Sequence, residues 1–501
     1  MRDYLIQFII IFTLLPSLLF ASFTGTIIDK KTLKPIIEAS ISDSNHVVQS
    51  DINGWFHFAT NETMFNIKSE KYKTLHVKKN ALKKKYKMQL KSDVVDTIIS
   101  FPIPSPTSLF LPNTIIDKKT LEPIIGAFVS DSKYTVQSDK NGKFDFSTNE
   151  KIIHIKAYGY KALHIKKDSN ITLYEMSPIK IKALYLTFWG ASGNSKTMKK
   201  IFKIIKETEV NAIVVDIKNE YGSTLYKTSF EQANSYGAHK DRTNRDIARF
   251  MKMMKDGEIY TIARIVTFKD EIQASNNPDY AIKKQDGEIW KNHDGMAWVD
   301  PFDTRSHNYT IRIAEEAAKV GFDEINFDYI RFPAKTGLVF SKENTQTNRI
   351  KAIDTFLDSA KQRLRKYGVY ISVDTYGNIL WTKDGDNNIG QTVKNLSQHA
   401  DYLAPMLYPS GFAKGSFGKE NPSSYPYIVI YRSIKHIENI VNPLRVRPWL
   451  QYFKDYAHTK MYYKKHQVRE QVRAAENMNT NGWMMWSPSS KYHQNYFKTK
   501  K

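Results

Sequence analysis

From about Ile181 onward the chain repeats one unit eight times: a short apolar run, then a longer stretch with apolar residues three or four positions apart. The runs are Ala183–Phe188, Ala212–Asp216, Tyr260–Thr267, Glu324–Asp328, Tyr370–Asp374, Tyr402–Met406, Val446–Gln451 and Gly482–Trp486. Between them fall stretches such as TMKKIFKIIKE, RDIARFMKMMK, YTIRIAEEAAKV, AIDTFLDSAKQRLRKYG and QVREQVRAAENM. Strands alternating with helices lie parallel, because each helix carries the chain back before the next strand begins. Eight such units predict a closed (β/α)8, or TIM, barrel over 181–492 rather than an open doubly wound sheet. No glycine-rich phosphate loop follows the first strand, which argues against a nucleotide fold. Only KYHQNYFKTKK follows the eighth strand, so a short or missing last helix is expected.

The front of the chain follows a different rule. Thr26-Ile-Ile-Asp-Lys-Lys-Thr-Leu-Lys-Pro35 returns 88 residues on as Thr114-Ile-Ile-Asp-Lys-Lys-Thr-Leu-Glu-Pro123. Gln49-Ser50-Asp51, Asn53-Gly54 and Tyr72-Lys73 return at the same offset. A constant offset means a duplicated module without insertions. Each copy alternates apolar and polar residues around an Asn-Gly turn, as in VVQSDINGWFHF and TVQSDKNGKFDF, which predicts half-buried antiparallel strands joined by hairpins. Two small all-β sandwiches are expected, at 23–91 and 113–178. A semi-extended linker at 92–112, holding Pro102, Pro104 and Pro106, would join them. The whole is a multidomain chain.

Met1-Arg2-Asp3-Tyr4 precedes an apolar run, Leu5–Ala21, that is interrupted by Pro16 and ends on Ala21-Ser22. It is shorter than the about 20 residues of a membrane span and reads as a signal peptide over 1–22. An exported protein, periplasmic, secreted or associated with the cell envelope, is expected, with no membrane span after signal removal. The chain has no cysteine, which excludes disulfides, cysteine nucleophiles and thiolate metal sites. Its formal charge of +23 is spread over many lysines, densest in KKNALKKKYK, Lys78–Lys87. In an exported protein that charge suits a solvated surface or anionic envelope polymers, with no nucleic-acid partner.

Active sites of such barrels lie at the C-terminal ends of the strands. That rule selects Asp216, Arg264, Asp328, Asp374, Tyr408, Gln451 and Trp486. A ring of charged groups closing apolar runs around one mouth points to a polar ligand. The fourth unit, GFDEINFDYIRFP, carries Glu324, Asn326 and Asp328 on one strand face by period two, with Asp328 last, at the mouth. The 13 histidines are scattered without H-x-H, H-x3-H or H-E-x-x-H, and G-x-S-x-G is absent, so no metal, no cofactor and no serine nucleophile is expected.

The segments VNAIVVDIKNEYG, YTIARIVTFKD, WVDPF, GFDEINFDYIRFP, ISVDTYG, ADYLAPMLYPS, RPWLQYF and NGWMMWSP together resemble a bacterial family of glycosyl-hydrolase-like barrel domains whose substrates are undefined. IIDKKTLKPIIEASI and IIDKKTLEPIIGAFV, with the QSD-x-NG segments after them, resemble carboxypeptidase regulatory-like (transthyretin-like) modules, which are spacers or docking units. The barrel resemblance implies cleavage of glycosidic bonds in a poly- or oligosaccharide by two carboxyl groups, one protonating the leaving oxygen and one attacking carbon or activating water. By likeness to α-amylase-type barrels, Asp328 takes the strand-four position as nucleophile or base. Asp374 takes the strand-five position as general acid, with Asp in place of the usual Glu. By likeness to chitinase-type barrels, Ile330 stands where their catalytic Glu belongs, which disfavours a substrate-assisted mechanism. Asp216 and Glu220 are the rival pair and could instead bind sugar hydroxyls. Lys218, Arg264 and Arg331 would orient carboxylates or meet an anionic substrate group. Trp189, Tyr408, Trp381 and Trp486 are candidate sugar platforms. Asp401 is expected at the barrel bottom, and Asp300-Pro301 as a lid or a helix cap. Two other readings stay open: a non-catalytic polysaccharide-binding or envelope-assembly protein on a degenerate barrel, and a polyanion-binding surface protein led by its lysines.

Overall fold

The structure, a computed structural model, describes residues 21–30, 36, 39–44, 46–50, 55–60, 62–69, 72–78, 85–89, 113–166, 171–192 and 195–500. The chain divides into two units, Met1–Pro104 and Ser105–Lys501. The expected signal segment before Ala21, the linker at 92–112 and the Asn53-Gly54 turn lie outside the described residues.

In the first unit, Ala21–Asp29 lies between Trp55–Thr60, antiparallel to it, and Lys85–Met88, parallel to it. A second sheet runs Val47–Gln49, Ser40–Ser42, Met64–Lys68, Leu75–Lys78. Ile27, Ile41, Phe56, Phe58, Phe65 and Ile67 come from both sheets and form one buried core. The second unit opens with the same design. Phe128–Ser130, Thr135–Gln137, Ile152–Lys156 and Leu163–Lys166 form a sheet whose strands each begin 88 residues after their counterparts. Thr114–Asp117 and Leu173–Met176 pair in parallel across its core. Gly142 closes the repeated turn at φ 73, and a side chain there would meet the Ile115 carbonyl at 2.4 Å. Only glycine meets both conditions.

The remainder is a closed barrel of eight parallel strands. They are β1 (Ile181–Leu186), β2 (Ala212–Lys218), β3 (Tyr260–Val266), β4 (Glu324–Asp328), β5 (Tyr370–Tyr376), β6 (Tyr402–Met406), β7 (Trp449–Gln451) and β8 (Gly482–Trp486). The expected (β/α)8 barrel is thus present, strand for strand. The seventh strand is shorter than predicted, because Pro448 has no N–H to donate to a ladder. Helices cap with Ser195, Asp246, Asp303, Thr345 and Thr392, whose side chains accept from backbone N–H groups of the first turn. After β8 the described chain holds one 3-10 turn, Gln494–Tyr496, in place of a last helix.

Strand parity sorts the side chains into two layers. Ile181, Ala183, Tyr185, Ala212, Val214, Tyr260, Ile262, Ala404, Trp449 and Met484 fill the barrel interior. Leu184, Ile213, Val215, Ala263, Ile265, Ile325, Phe327 and Val373 face the helices. At the interior base Arg447 Nη1 donates to both Glu324 oxygens at 2.7 and 2.8 Å, and the Tyr260 hydroxyl donates to Glu324 Oε2 at 3.0 Å. Glu324 and Arg447 are buried. Below them the second β-rich module docks on the barrel. The Tyr370 hydroxyl is 2.8 Å from the Ala157 and Tyr160 carbonyls, Gly159 N–H donates to the Tyr402 hydroxyl, and Lys156 pairs with Asp401 at 2.8 Å. Asp401 also accepts from Ile371 N–H, which places it at the bottom as expected.

Candidate active site

The chain direction of the strands brings Asp216, Arg264, Asp328 and Asp374 to the C-terminal ends of β2, β3, β4 and β5, with Arg264 in register with Asp216, and Asp328 one step further on, in register with Val266. A cavity of about 300 Å³ opens there, at the small end of the range for ligand sites. Its polar wall is Glu220, Arg264, Asp328, Arg331 and Asp374, and its aromatic wall includes Tyr329, Tyr376, Tyr408, Phe412, Trp449, Tyr456 and Trp486.

Arg264 organises the polar wall. Its Nη1 donates to Asp216 Oδ1 at 2.5 Å, its Nε and Nη2 to Asp328 Oδ2 at 3.0 and 2.5 Å, and its Nη2 to Glu220 Oε1 at 3.0 Å. The guanidinium lies over the Trp486 ring, 5.1 Å from its centroid, and Trp486 stacks on Tyr185 at 3.9 Å. Burial opposes the charge of Arg264, but Asp216, Asp328 and Glu220 outweigh that and hold it firmly protonated. Burial also raises Glu220, yet Arg264 brings its carboxyl below the usual range. Asp216, fully enclosed, is pushed up by burial to about 6 despite Arg264 and a hydrogen bond from the Tyr185 hydroxyl.

Asp328 and Asp374 share the cavity in opposite settings. Asp328 is bound by Arg264 on Oδ2 and by Tyr329 N–H on Oδ1 at 2.6 Å. Among the described residues no cation lies within salt-bridge reach of Asp374. Its Oδ1 accepts from Asn326 Nδ2 at 2.8 Å and Trp449 Nε1 at 2.7 Å, so a proton on this carboxyl would sit on Oδ2. Burial, and then the charge of Asp328, push this carboxyl well above the usual range. A carboxyl held towards its neutral form beside a second carboxyl bound by an arginine is an arrangement that acid–base chemistry can use. Tyr329, directly after Asp328, sits at φ 48, a left-handed backbone that a bulky residue adopts at a cost of about 1–3 kcal/mol. That turn sends Asp328, Tyr329 and Arg331 together toward the cavity.

Of the residues selected from sequence, Glu220, Arg264, Asp328, Arg331, Asp374, Tyr408 and Trp486 line this cavity, and Asp216 lies behind Arg264. Four do not join it. Lys218 is buried against Asp270 at 2.8 Å and donates to the Val266 carbonyl, because a register shift between Asp216 and Lys218 breaks strand parity and turns it away. Gln451 is buried and fastens the loop after β6, donating to Ser410 Oγ at 2.6 Å and accepting from Ser410 N–H at 3.1 Å. Trp189, 69% exposed, lies past the end of β1 and meets Phe188 edge-on. Trp381 stacks on His436 at 4.3 Å and donates to Ser433 Oγ, beside the helix Pro426–Ile437. Asp300 accepts from Ser341 and Phe302 N–H groups and holds loops together, while Asp303 caps the helix. Ile330 is fully buried in the outer core.

Sequence reasoning passed over Tyr185, Asn326 and Trp449 as partners of carboxylates. Parity was the available signal, since all three are inward residues two positions from a selected one or facing it. Tyr376 ends β5 two positions after Asp374, so parity could have found it, whereas Phe412 and Tyr456 come from loops, where no periodicity reports direction. Among the described residues no cluster of histidine and carboxylate side chains could hold a metal ion.

No curated protein matches the chain. Among solved structures, a hypothetical protein from Ruminiclostridium thermocellum is 35% identical, covering 38% of this chain and 96% of its own, with a TM-score of 0.35. The PgaB (BpsB) glycoside hydrolase domain from Bordetella bronchiseptica is 11% identical over 65% of this chain and 100% of its own, with a TM-score of 0.45. The spore cortex-lytic enzyme SleL from Bacillus megaterium is 12% identical over 67% and 75%, with a TM-score of 0.40. The family match reaches further: residues 183–492, all but the first two residues of the barrel, fit the family described as "Putative glycosyl hydrolase domain", and the chain belongs to that family.

Proposed function

We propose that this glycoside hydrolase is an exported enzyme that cuts a carbohydrate polymer by a two-carboxylate mechanism, with Asp374 as general acid and Asp328 as its partner. The observation that carries this reading is the contrast between the two groups on one cavity: Asp374 is held by the neutral donors Asn326 and Trp449 and pushed well above the usual carboxylate range by burial and then Asp328, while Asp328 is clamped by Arg264. Asp374 Oδ2 gives its proton to the glycosidic oxygen as the bond lengthens. Positive charge grows on the anomeric carbon and is met by Asp328, which attacks it or takes the proton of an attacking water. Arg264 keeps three carboxylates from repelling one another in a low-dielectric mouth, and it fixes Asp328 in place. Trp486, Tyr408, Tyr376 and Tyr456 offer ring faces to sugar C–H groups. The two β-rich modules act as spacers that hold the barrel near a polymer or the cell surface.

The test is reducing-end release from a glycan panel by the full chain and by Asp328→Asn. Cleavage of at least one glycan by the wild type, lost in the variant while binding persists, supports the proposal. Equal behaviour of the two proteins on every glycan overturns it. The anomer released first, read by NMR, then separates attack on carbon from activation of water.

A further inference from the structure

Among the described residues, the other cations in and around this mouth have acidic partners. Arg264 serves Asp216, Glu220 and Asp328, Lys218 serves Asp270, and Lys269 pairs with Asp294 at 3.1 Å. Arg331 lines the cavity, is half-buried, and forms no ion pair among the described residues. One Nη1 donor is spent on the Phe332 carbonyl at 3.1 Å. Its guanidinium lies 5.1 Å from the Trp298 ring centroid and 5.2 Å from that of Tyr329. Two rings thus hold the planar fork, so little side-chain freedom is left to lose when it binds. The turn at Tyr329 aims it into the same space as Asp328.

A half-buried arginine carries a desolvation cost that an ion partner normally offsets. Three carboxylates line or back this cavity close by, yet Arg264 takes them and Arg331 is left over. Its planar donors match a carboxylate or another flat oxyanion in a two-point contact.

Resting on the glycosidase reading above, we propose that Arg331 is a specificity residue for an acidic sugar: the saccharide seated beside Asp328 carries an anionic substituent, a carboxylate by the geometry of the fork. The remaining wall is compatible with one such charge, since Arg264 answers Asp216, Glu220 and Asp328, and Asp374 is held by the neutral donors Asn326 Nδ2 and Trp449 Nε1. An anion placed anywhere else in the mouth would face those acids unshielded.

The experiment uses the full chain and a panel of uronic-acid polysaccharides and their oligomers, each paired with its carboxyl-reduced twin, so that sugar and linkage match and only the charge differs. Binding is read by calorimetry on Asp374→Asn, which keeps the cavity while blocking turnover, and cleavage by reducing-end release on the wild type. We expect at least one acidic member to bind about 10- to 100-fold more tightly than its twin, the worth of a charge-assisted hydrogen-bond pair. Adding Arg331→Met should bring that ratio close to one, and Arg331→Lys should restore part of it, since charge returns without the fork. Circular dichroism and melting temperature establish that the variants fold. If no acidic member is held more tightly than its twin, or if the ratio survives Arg331→Met, the proposal is wrong. Cleavage of neutral twins that Asp328→Asn abolishes would in that case leave the glycosidase reading standing. Binding of acidic members without cleavage of any glycan would uphold the role of Arg331 and overturn the enzymatic reading.

Discussion

Glu324→Gln is a stringent test of the barrel, because Glu324 shares its strand face with Asn326 and Asp328. Arg447 reaches both Glu324 oxygens at 2.7 and 2.8 Å, and the two side chains are 0–1% exposed. The amide keeps the shape and one carbonyl acceptor but removes the negative charge, so Arg447 remains as an uncompensated buried cation. Breaking a buried pair by removing one partner costs about 3–5 kcal/mol. In a large domain each kcal/mol shifts the melting temperature by roughly 2 °C, so a loss of about 6–10 °C is expected. Replacing both partners, Glu324→Leu with Arg447→Met, removes the stranded charge and should cost clearly less than the sum of the single changes. Differential scanning calorimetry of the wild type, both single variants and the double variant measures the cycle. A loss below about 1 kcal/mol for Glu324→Gln, or strict additivity in the cycle, would mean that the two groups do not meet inside the barrel. The inward placement of Asp328, two alternations further along the same strand, would then lose its support.

Three more expectations follow from the same geometry. Asp374 has a raised folded-state pKa, so its contribution to stability is fully present at low pH and is lost as pH rises through the folded value; Asp216, at about 6, acts the same way between about 4 and 6. Asp374→Asn should therefore raise the melting temperature at neutral pH and flatten its decline with pH, and parallel pH curves for the two proteins would contradict this. The alkaline limb of the kcat profile should belong to Asp374, because activity needs its proton, and that limb should be missing from whatever activity Asp374→Asn retains. Tyr370→Phe strips the hydroxyl that joins the second β-rich module to the barrel base and should cost about 1–3 kcal/mol in denaturant melts, with faster proteolysis of 113–166.

The barrel was legible in the sequence because each strand is a short apolar run bounded by charge, and because inward and outward residues alternate without interruption in β3, β4 and β5. The same alternation found Asp216, Arg264, Asp328 and Asp374, all at strand ends. It failed at Lys218, where a one-residue register shift reverses the face, and at Gln451, where a three-residue strand gives way at once to loop contacts. Trp189 shows the other limit: aromatic character marks a residue as a possible platform, but only the loop path decides whether it reaches the cavity. The role of Tyr329 could not be read at all, since a positive φ in a tyrosine leaves no trace in composition or period. The base pair Glu324–Arg447 joins strands four and seven, and a contact across 123 positions has no local signature.

The division of labour between Asp374 and Asp328 is tested most directly by comparing two leaving groups on one sugar. Once a cleaved glycan is known, its 2,4-dinitrophenyl glycoside and its natural oligosaccharide are offered to the wild type, Asp374→Asn and Asp328→Asn. A dinitrophenolate departs without a proton, so Asp374→Asn should keep most of its rate on the aryl glycoside and lose about 10²- to 10⁴-fold on the oligosaccharide. Asp328→Asn should lose both. Equal losses by Asp374→Asn on the two substrates, or an Asp328→Asn variant as active as the wild type, would contradict the account.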